Sequence, residues 1–236
     1  MSRPEAAGPS LAIIPARGGS KRIPRKNIRP FRGRPMLAWP LAAALGSGVF
    51  DEVMVSTDDE EIAETARALG AEVPFLRSAK ASDDHATTAD VLQEVLGAYA
   101  GQGRDFPLAC CLYPTAPFVT PEDLRAGRET LLEGGFDTVL PVARFSFPIW
   151  RALSRDASGR VRFTFSDHAL ARSQDLPEAY HDAGQWYWFR TAPFLSSGTL
   201  LGANTGSLCL PMMRVQDIDT EEDWALAELK HARSAP

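Results

Sequence analysis

The stretch that decides the fold is LAIIPARGGSKRIPRKN, which occupies residues 11–27 of the chain. Residues 11–14 form a short apolar run that ends at Pro15, a pattern that predicts a buried strand. Residues 16–35 are rich in glycine, proline and arginine and predict a long loop. A buried strand that opens into a glycine-rich, basic loop favours an α/β protein that holds an anionic ligand where the strand ends.

The pattern of apolar and polar residues continues as alternating strands and helices as far as residue 143. Further strands are predicted over residues 52–56, 71–76, 107–113 and 138–143, and helices over residues 36–45, 59–69, 88–99 and 121–132. This alternation predicts an α/β fold with a doubly wound, mainly parallel sheet, in which the ligand crevice lies at the carboxyl ends of the strands. We expect residues 1–236 to form a single domain.

The second half of the chain has a less regular pattern. A β-hairpin is predicted within residues 151–165, strands over residues 185–189 and 208–215, and a final helix over residues 221–232. Residues 166–168 spell Ser-Asp-His, but the surrounding sequence lacks the GxSxG turn of many serine hydrolases. We therefore interpret that triplet as part of a loop.

The bulk composition excludes several classes of protein. With 236 residues, 44% of them hydrophobic, the chain can bury one sizeable core, and its formal net charge of −5 argues against general nucleic-acid binding. The chain has three cysteines, Cys110, Cys111 and Cys209. Their odd number and their lack of zinc-site spacing favour reduced cysteines. No apolar run is long enough for a membrane helix, and residues 1–9 lack the apolar core of a signal peptide. We expect a cytoplasmic protein that does not bind membranes.

The charge is distributed unevenly, and the first loop is strongly basic. Residues 6–50 contain no aspartate or glutamate, although the chain as a whole is acidic. Gly18 and Gly19 allow a ligand to approach the backbone, so that successive N–H groups can bind an anion. Arg17 can donate to two phosphate oxygens, and Lys21 can supply a point charge. We interpret this loop as a phosphate site of neither Walker nor GxGxxG type, with a solvated basic surface as the alternative.

Asp217-Ile218-Asp219 is a candidate metal site. Alternating residues at the end of a strand point the same way, so both carboxylates are expected on one face. Two carboxylates beside a bound triphosphate are a natural site for Mg²⁺. The alternative is an exposed pair in which Asp219 serves the helix that follows.

Two further segments are candidates for ligand recognition. Arg77 and the helix that begins near Thr88 could bind an anion or a sugar hydroxyl, although simple helix capping is an equally good interpretation. In the later aromatic segment, strand alternation predicts that Trp186 lies in the core while Gln185 and Tyr187 face a ligand. Aromatic faces and amides beside each other suit sugar recognition.

Together these segments resemble the acylneuraminate cytidylyltransferases, the CMP-sialic acid synthetases. The similar segments are IIPARGGSKRIPRKNI at residues 13–28, VSTD at 55–58, PTAP at 114–117 and DIDT at 217–220. Within that family, LYPTAPF at residues 112–118 and DAGQWYW at residues 182–188 are most similar to pseudaminic acid cytidylyltransferases. Tyr113 stands where many sialic acid synthetases carry a glutamine that is associated with sugar recognition.

The resemblance implies a nucleotide-diphospho-sugar transferase fold and an enzyme that transfers CMP from CTP to a nine-carbon acidic sugar. Pseudaminic acid is the expected sugar because of the segments at residues 112–118 and 182–188, and Tyr113 in place of the glutamine argues against sialic acid. Sialic, legionaminic and keto-deoxyoctonic acids are the alternatives. A non-catalytic nucleotide-binding regulator is a more distant alternative. The resemblance also implies a homodimer in which a small insertion around residues 145–184 covers the site of the neighbouring subunit.

The motifs and the resemblance together assign roles to individual residues. Catalytic roles are expected for Arg17, Lys21 and Asp217, and metal binding for Asp217 and Asp219. Nucleotide contacts are expected from Arg17, Gly18, Gly19, Ser20, Lys21, Lys26, Asn27, Arg77 and Thr88. Contacts to the sugar are expected from Tyr113, Thr115, Gln185 and Tyr187.

Overall fold

The computed structural model of the chain describes residues 8–83 and 85–234. Most of the N-terminal segment 1–9, for which the sequence predicts no signal peptide, lies outside the described residues. Within the described residues, no helix combines the length and apolarity needed to cross a bilayer.

The described chain contains eleven strands and seven α-helices. The strands are β1 (Ser10–Pro15), β2 (Pro30–Phe31), β3 (Arg34–Pro35), β4 (Glu52–Ser56), β5 (Leu108–Leu112), β6 (Thr138–Arg144), β7 (Leu153–Arg155), β8 (Val161–Phe163), β9 (Tyr180–Asp182), β10 (Trp186–Arg190) and β11 (Thr205–Cys209). The helices are α1 (Ala38–Ser47), α2 (Glu60–Ala68), α3 (Ala79–Ser82), α4 (Thr88–Gly101), α5 (Pro121–Glu133), α6 (Thr191–Ser197) and α7 (Glu221–Ser234).

The main sheet has the strand order β11-β6-β10-β5-β1-β4, and β9 pairs with β6. β1 is parallel to both of its neighbours, β4 and β5, whereas β10 runs antiparallel between β5 and β6. After β1 the chain adds β4 on one side of β1 and then crosses over to add β5 on the other side of β1. The strand order therefore reverses between β1 and β5. Such a switch point is where open α/β sheets bind ligands.

Successive residues of β1 contribute to cores on opposite faces of the sheet. Ala12 and Ile14 belong to the core that contains residues of α1, α2 and α5, whereas Leu11 and Ile13 belong to the core that contains residues of α4 and α6. All four side chains are fully buried, as expected for a central strand covered by helices on both faces. The predicted doubly wound, mainly parallel α/β fold is confirmed.

Two of the predicted strands are wrong in place or extent. Residues 71–76 make one isolated bridge, between Glu72 and Met54, because Pro74 has no N–H group to continue the ladder. The strand predicted over residues 208–215 is β11, which ends at Cys209; Pro211 and a short 3₁₀ turn at Met212–Arg214 follow it.

The remaining differences are small. The long loop predicted over residues 16–35 contains the two-residue strands β2 and β3. Pro40 lies in the first turn of α1, where its missing N–H group would have no intrahelical partner. The predicted hairpin within residues 151–165 is confirmed as β7 and β8.

We expect Gly127→Ala in α5 to destabilise the fold because the helix packs closely against β10. An added Cβ would lie 2.6 Å from Trp186 Cη2 and 2.8 Å from Trp188 Cδ1. Overpacking of this kind costs about 1–3 kcal/mol, measured as the free energy of unfolding in urea. Gly97→Ala in α4 is the matched control, since its Cβ would meet no atom within 4 Å. That variant should gain about 0.5–1 kcal/mol, and equal losses in both variants would contradict the packing described here.

Candidate functional site

The predicted site residues converge at one edge of the sheet. The segments after β1, β4 and β5 leave the sheet at this edge because the three strands are parallel. The antiparallel β10 begins there, and its first residue Trp186 pairs with Leu112, the last residue of β5. The basic loop, Thr57-Asp58, Tyr113-Pro114 and Gln185 therefore surround the crevice beside the switch point.

The loop after β1 is fixed by hydrogen bonds to its own backbone. The Gly18 N–H group donates to Asp58 Oδ1 at 2.9 Å, and Asn27 Nδ2 donates to the Arg17 carbonyl at 2.9 Å. Asn27 is buried, so its side chain shapes the loop from beneath. Its predicted contact with nucleotide stays a prediction.

The two glycines of this loop have different surroundings. A Cβ at Gly18 would lie 2.8 Å from Asp59 Oδ2 and 2.9 Å from Asp59 Cβ, so the loop needs glycine there to pack against the start of α2. A Cβ at Gly19 would meet no atom within 4 Å, and the backbone faces open space. Gly19 is thus the position at which a ligand can approach the main chain.

The cations of the loop differ in the partners that hold them. Arg25 adopts a left-handed φ of 55° and pairs with Asp59 at 2.5 Å, so it anchors the loop to α2. Lys26 donates to the Ile218 carbonyl at 2.6 Å, across 192 residues of sequence. Lys21 is exposed and Arg17 half-buried, on the part of the loop nearest β1.

The paired carboxylates lie directly beside this loop. Lys26 Nζ is 3.5 Å from Asp219 Oδ1, and Arg22 pairs with the same carboxylate oxygen at 2.7 Å. Lys26 thus bonds to the carbonyl of Ile218 and to the carboxylate of Asp219 within one short segment. The structure brings together the predicted phosphate loop and the predicted metal ligands.

The Asp217-Ile218-Asp219 segment has no regular secondary structure, so it is not the strand end that the sequence predicts. The burial of successive side chains nevertheless alternates, because Ile218 is 1% exposed whereas Asp217 is exposed and Asp219 half-buried. The segment gains no strand partner because the chain leaves the sheet at Pro211.

Contacts from three other elements hold this segment in place. Lys230 of α7 donates to the Val215 carbonyl at 2.8 Å. The Arg214 side chain pairs with Asp123, which also completes the capping box of α5. The Arg214 carbonyl accepts a hydrogen bond from Gln185 Nε2 at 2.6 Å. Arg214 and Asp123 are positioning residues that no local sequence motif indicates.

Arg77 lies beneath the site rather than on its surface. It is 8% exposed, and its guanidinium donates to the hydroxyl and the carbonyl of Ser56 at 3.1 and 2.5 Å. Burial lowers the pKa of Arg77 and the nearby Asp58 raises it, but a guanidinium stays protonated. Arg77 thus supplies a buried positive charge below the end of β4.

A chain of hydroxyl groups leads from α4 towards β10. Thr87, not Thr88, caps α4 by forming a capping box with Asp90, which leaves the Thr88 hydroxyl 3.4 Å from that of Tyr113. The rings of Tyr113 and Tyr187 meet edge to face with centroids 5.5 Å apart. Of the expected sugar contacts, Tyr113 and Thr115 are half-buried at the crevice.

The side chains of β10 do not divide cleanly into core and ligand faces. Trp186 is fully buried in the core on the α5 side, as predicted, and so is Trp188. Tyr187 is also buried, in the core on the opposite face, and Gln185 is 2% exposed with its amide directed to the Arg214 carbonyl. Gln185 therefore supports the Asp217 segment, and its predicted contact with sugar stays a prediction.

This arrangement combines a basic backbone pocket with two carboxylates and an aromatic hydroxyl cluster. A polyphosphate is the kind of anion that this basic loop could neutralise, and carboxylates are the protein oxygens that Mg²⁺ prefers. The comparisons with known proteins agree with this chemistry. A family model described as Cytidylyltransferase matches residues 11–199, which include the basic loop, Arg77 and Tyr113.

The chain belongs to the cytidylyltransferase family. It is 39% identical to a pseudaminic acid cytidylyltransferase of Campylobacter jejuni over 93% of this chain and 95% of that protein. It is 35% identical to a CMP-N,N'-diacetyllegionaminic acid synthase of Legionella pneumophila over 92% of this chain and 94% of that protein. The resemblance seen in the sequence is thereby confirmed.

Solved structures share the fold. A CMP:2-keto-3-deoxy-manno-octonic acid synthetase complexed with CTP superposes with a TM-score of 0.71, covering 97% of this chain and 100% of that one. The sequence identity is 17%, so this similarity concerns the arrangement of strands and helices.

The different surroundings of the two glycines predict different effects of Gly18→Ala and Gly19→Ala. Gly18→Ala should displace Asp59 and loosen the loop, lowering both the melting temperature and the affinity for CTP. Gly19→Ala should leave the melting temperature unchanged and weaken CTP binding, since its methyl group occupies the open side of the backbone. Calorimetric titration with CTP and thermal unfolding measure the two effects. Unchanged CTP affinity in Gly19→Ala would contradict the placement of a ligand at this backbone.

Proposed function

We propose that this protein transfers CMP from CTP to the anomeric hydroxyl of a nine-carbon acidic sugar, pseudaminic acid, and releases pyrophosphate. The observation that carries the proposal is the contact of Lys26 with Ile218 and Asp219. It places the glycine-rich basic loop next to two carboxylates, which is the arrangement that a metal-bound triphosphate requires. The similarity to named cytidylyltransferases over nearly the whole chain supports CTP as the nucleotide.

The choice of pseudaminic acid rests on similarity and on Tyr113. The 39% identity to the Campylobacter jejuni enzyme extends over 93% of this chain. Tyr113 places a phenol where many sialic acid synthetases carry an amide, so the sugar meets a different hydrogen-bonding group. Legionaminic, sialic and keto-deoxyoctonic acids are the alternative sugars.

The reaction is an in-line displacement at the α-phosphorus. The anomeric oxygen of the sugar forms a bond to the α-phosphorus, and its proton passes to the solvent. The bond from the α-phosphorus to the oxygen that bridges to the β-phosphate breaks, with its electron pair leaving on pyrophosphate. Arg17, Lys21 and the backbone at Gly19 stabilise the negative charge that develops on the departing oxygens. The N–H groups of Gly18 and Ser20 donate to Asp58 and to the Gly18 carbonyl in the structure, so their predicted contacts with nucleotide stay predictions. Lys26 and Arg77 fix the positions of the groups around them, and Thr88 and Thr115 border the crevice.

Asp217 and Asp219 are the residues that would hold Mg²⁺. Mg²⁺ usually keeps several waters and takes one or two protein carboxylates together with substrate phosphates. The donor chemistry fits, because Asp217 and Asp219 both reach solvent on either side of the buried Ile218. Among the described residues no group of three or more His, Cys, Asp or Glu could hold a metal ion, so the protein would supply these two carboxylates only. When bound, the ion would neutralise charge on the α-phosphate and the leaving group.

The direct test is pyrophosphate release with CTP and Mg²⁺ in parallel reactions that contain pseudaminic, legionaminic, sialic or keto-deoxyoctonic acid. We expect release with pseudaminic acid and formation of its CMP derivative, identified by mass spectrometry. Pyrophosphate release with only one of the other sugars would overturn the assignment of pseudaminic acid as the substrate, but it would leave the proposed type of reaction unchanged. CTP binding without release from any sugar would overturn the proposed activity and favour a nucleotide-binding regulator.

The same assay tests the metal residues. Asp217→Asn should lower turnover on the order of 10²-fold and raise the Mg²⁺ concentration needed for half-maximal rate. Glu222→Gln, which neutralises an exposed carboxylate in the first turn of α7, is the matched control and should retain the parental rate. Full turnover in the presence of EDTA would contradict a role for the metal.

We further propose that the protein is a cytoplasmic homodimer formed through residues 145–184. Several apolar side chains of this insertion are exposed: Phe147 by 81%, Leu170 by 99%, Leu153 by 53% and Val161 by 59%. An apolar surface of this extent is typical of a contact between proteins, and the resemblance to homodimeric enzymes makes a second copy the expected occupant. Reduced, buried Cys110 and Cys111 are consistent with the cytoplasm.

Phe147→Glu should convert the dimer into a monomer, because it introduces a charge into the apolar contact. Sedimentation velocity measures the mass of the particle in solution. We expect the mass of two chains for the parent protein and the mass of one chain for the variant. Leu229→Glu is the control, since Leu229 is 67% exposed on α7 and lies outside the insertion. A monomeric parent protein at micromolar concentration would contradict the proposed dimer.

A further inference from the structure

The segment that carries the candidate metal ligands lies outside the sheet, and side chains bind its backbone where a neighbouring strand would otherwise do so. The Asp217 carbonyl accepts a hydrogen bond from Gln216 Nε2 at 2.9 Å, and the Asp219 N–H group donates to Asp223 Oδ2 at 3.1 Å. Backbone polar groups outside regular secondary structure need partners of this kind. The placement of the two carboxylates therefore depends on Gln216 and Asp223.

The Gln216 amide is held at both of its ends by α7. Its Nε2 lies 3.4 Å from Asp223 Oδ1 in addition to its bond with Asp217, and its Oε1 accepts from Lys230 Nζ at 2.9 Å. A side-chain amide has two N–H groups that donate and one oxygen that accepts, and both kinds of atom are used here. Asp223 and Lys230 are about two turns apart on α7, so they lie on the same face of the helix.

Lys230 binds the same stretch of chain at two further points. Its Nζ donates to the Val215 carbonyl at 2.8 Å and to the Met212 carbonyl at 3.4 Å. The end of α7 thus holds the chain on its approach to Asp217, and Gln216 is the held residue that lies directly before that carboxylate.

Asp223 supports the segment and does not supply a third ligand. Its Oδ2 accepts from the N–H group and from the hydroxyl of Thr220, each at 2.8 Å, as well as from Asp219. Its Oδ1 faces the Gln216 amide. Because donors of the chain engage both oxygens of Asp223, Asp217 and Asp219 remain the candidate ligands.

We propose that Gln216 is a positioning residue of the metal site, whose amide, held between Lys230 and Asp223, fixes the main chain at Asp217 and thereby the placement of the Asp217 carboxylate. The inference rests on the proposed function, which assigns Mg²⁺ to Asp217 and Asp219. Residues that orient metal ligands without touching the ion typically contribute about 10–100-fold to metal affinity. A ligand on an irregular segment needs such support because no strand partner restricts its backbone.

Gln216→Leu tests the role because leucine has a similar size but can neither donate nor accept a hydrogen bond. The probe is Mn²⁺ in place of Mg²⁺, with CTP and without sugar, so that no transfer occurs and bound Mn²⁺ is measured by electron paramagnetic resonance. We expect the dissociation constant of Mn²⁺ to rise about 10–100-fold. The melting temperature and the affinity for CTP without a divalent ion should stay close to the parental values, since Gln216 is half-buried and belongs to no strand or helix.

Gln102→Leu is the matched control. Gln102 is exposed directly after α4, and the chain enters β5 a few residues later, so it lies at the edge of the sheet opposite the crevice. The same chemical change there should leave the affinity for Mn²⁺ unaltered. An equal loss in both variants would overturn the proposal.

The dependence of turnover on Mg²⁺ separates positioning from a general structural defect. In Gln216→Leu the Mg²⁺ concentration for half-maximal rate should rise by the same factor as the dissociation constant of Mn²⁺, whereas kcat at saturating Mg²⁺ should stay near that of the parent. A fall in kcat that saturating Mg²⁺ does not restore would overturn the proposal.

A double-mutant cycle tests whether Gln216 acts through Asp217. In an Asp217→Asn background, Gln216→Leu should cause no further loss of Mn²⁺ affinity, because the carboxylate that it positions is gone. Independent, additive losses would overturn the proposal.

The Mn²⁺ measurement also distinguishes failure of this inference from failure of the proposed function. If the parent forms the CMP-sugar but Gln216→Leu binds Mn²⁺ as the parent does, the role of Gln216 is overturned and the proposed function stands. If Mn²⁺ affinity falls in Gln216→Leu but the parent forms no CMP-sugar, the proposed transfer is overturned and the role of Gln216 in metal binding stands.

Discussion

The structure of the site depends on one long-range contact, the hydrogen bond from Lys26 to the Ile218 carbonyl at 2.6 Å. The Lys26 side chain is 18% exposed, and a hydrogen bond from a charged group contributes about 1.5–3 kcal/mol. The neighbouring ion pair of Arg29 with Glu221 is more exposed and contributes less. Lys26 thereby holds the carboxylates of the C-terminal segment beside the loop that follows β1.

The direction of the strands divides the crevice into two chemically different halves. The loop after β1 supplies positive charge and backbone N–H groups, which suit a triphosphate. On the other side of the switch point, β5 ends at Leu112, just before Tyr113, and the antiparallel β10 begins at Trp186, so the paired phenols lie at the same edge as the basic loop. The two substrates of a transfer reaction can therefore approach each other from neighbouring strands.

The sequence predicts most of the sheet because β1 and β5 are continuous apolar runs bounded by loops. It fails where single prolines override the pattern, as Pro74 and Pro211 do. Burial still alternates along Asp217, Ile218 and Asp219 even though no strand forms there. The contact of Lys26 could not be predicted, because residues 192 positions apart share no local pattern. The burial of Gln185 has the same cause, since its partner Arg214 lies on a distant segment.

We propose that the loop after β1 stabilises the departing pyrophosphate, and the Lys21→Ala variant is the test of this role. The measurement is pyrophosphate formation in a single turnover at saturating CTP, Mg²⁺ and pseudaminic acid. Saturation removes effects on binding, so the rate reports on charge stabilisation during the transfer. We expect that rate to fall on the order of 10²–10³-fold in the variant. A rate near that of the parent protein would contradict it.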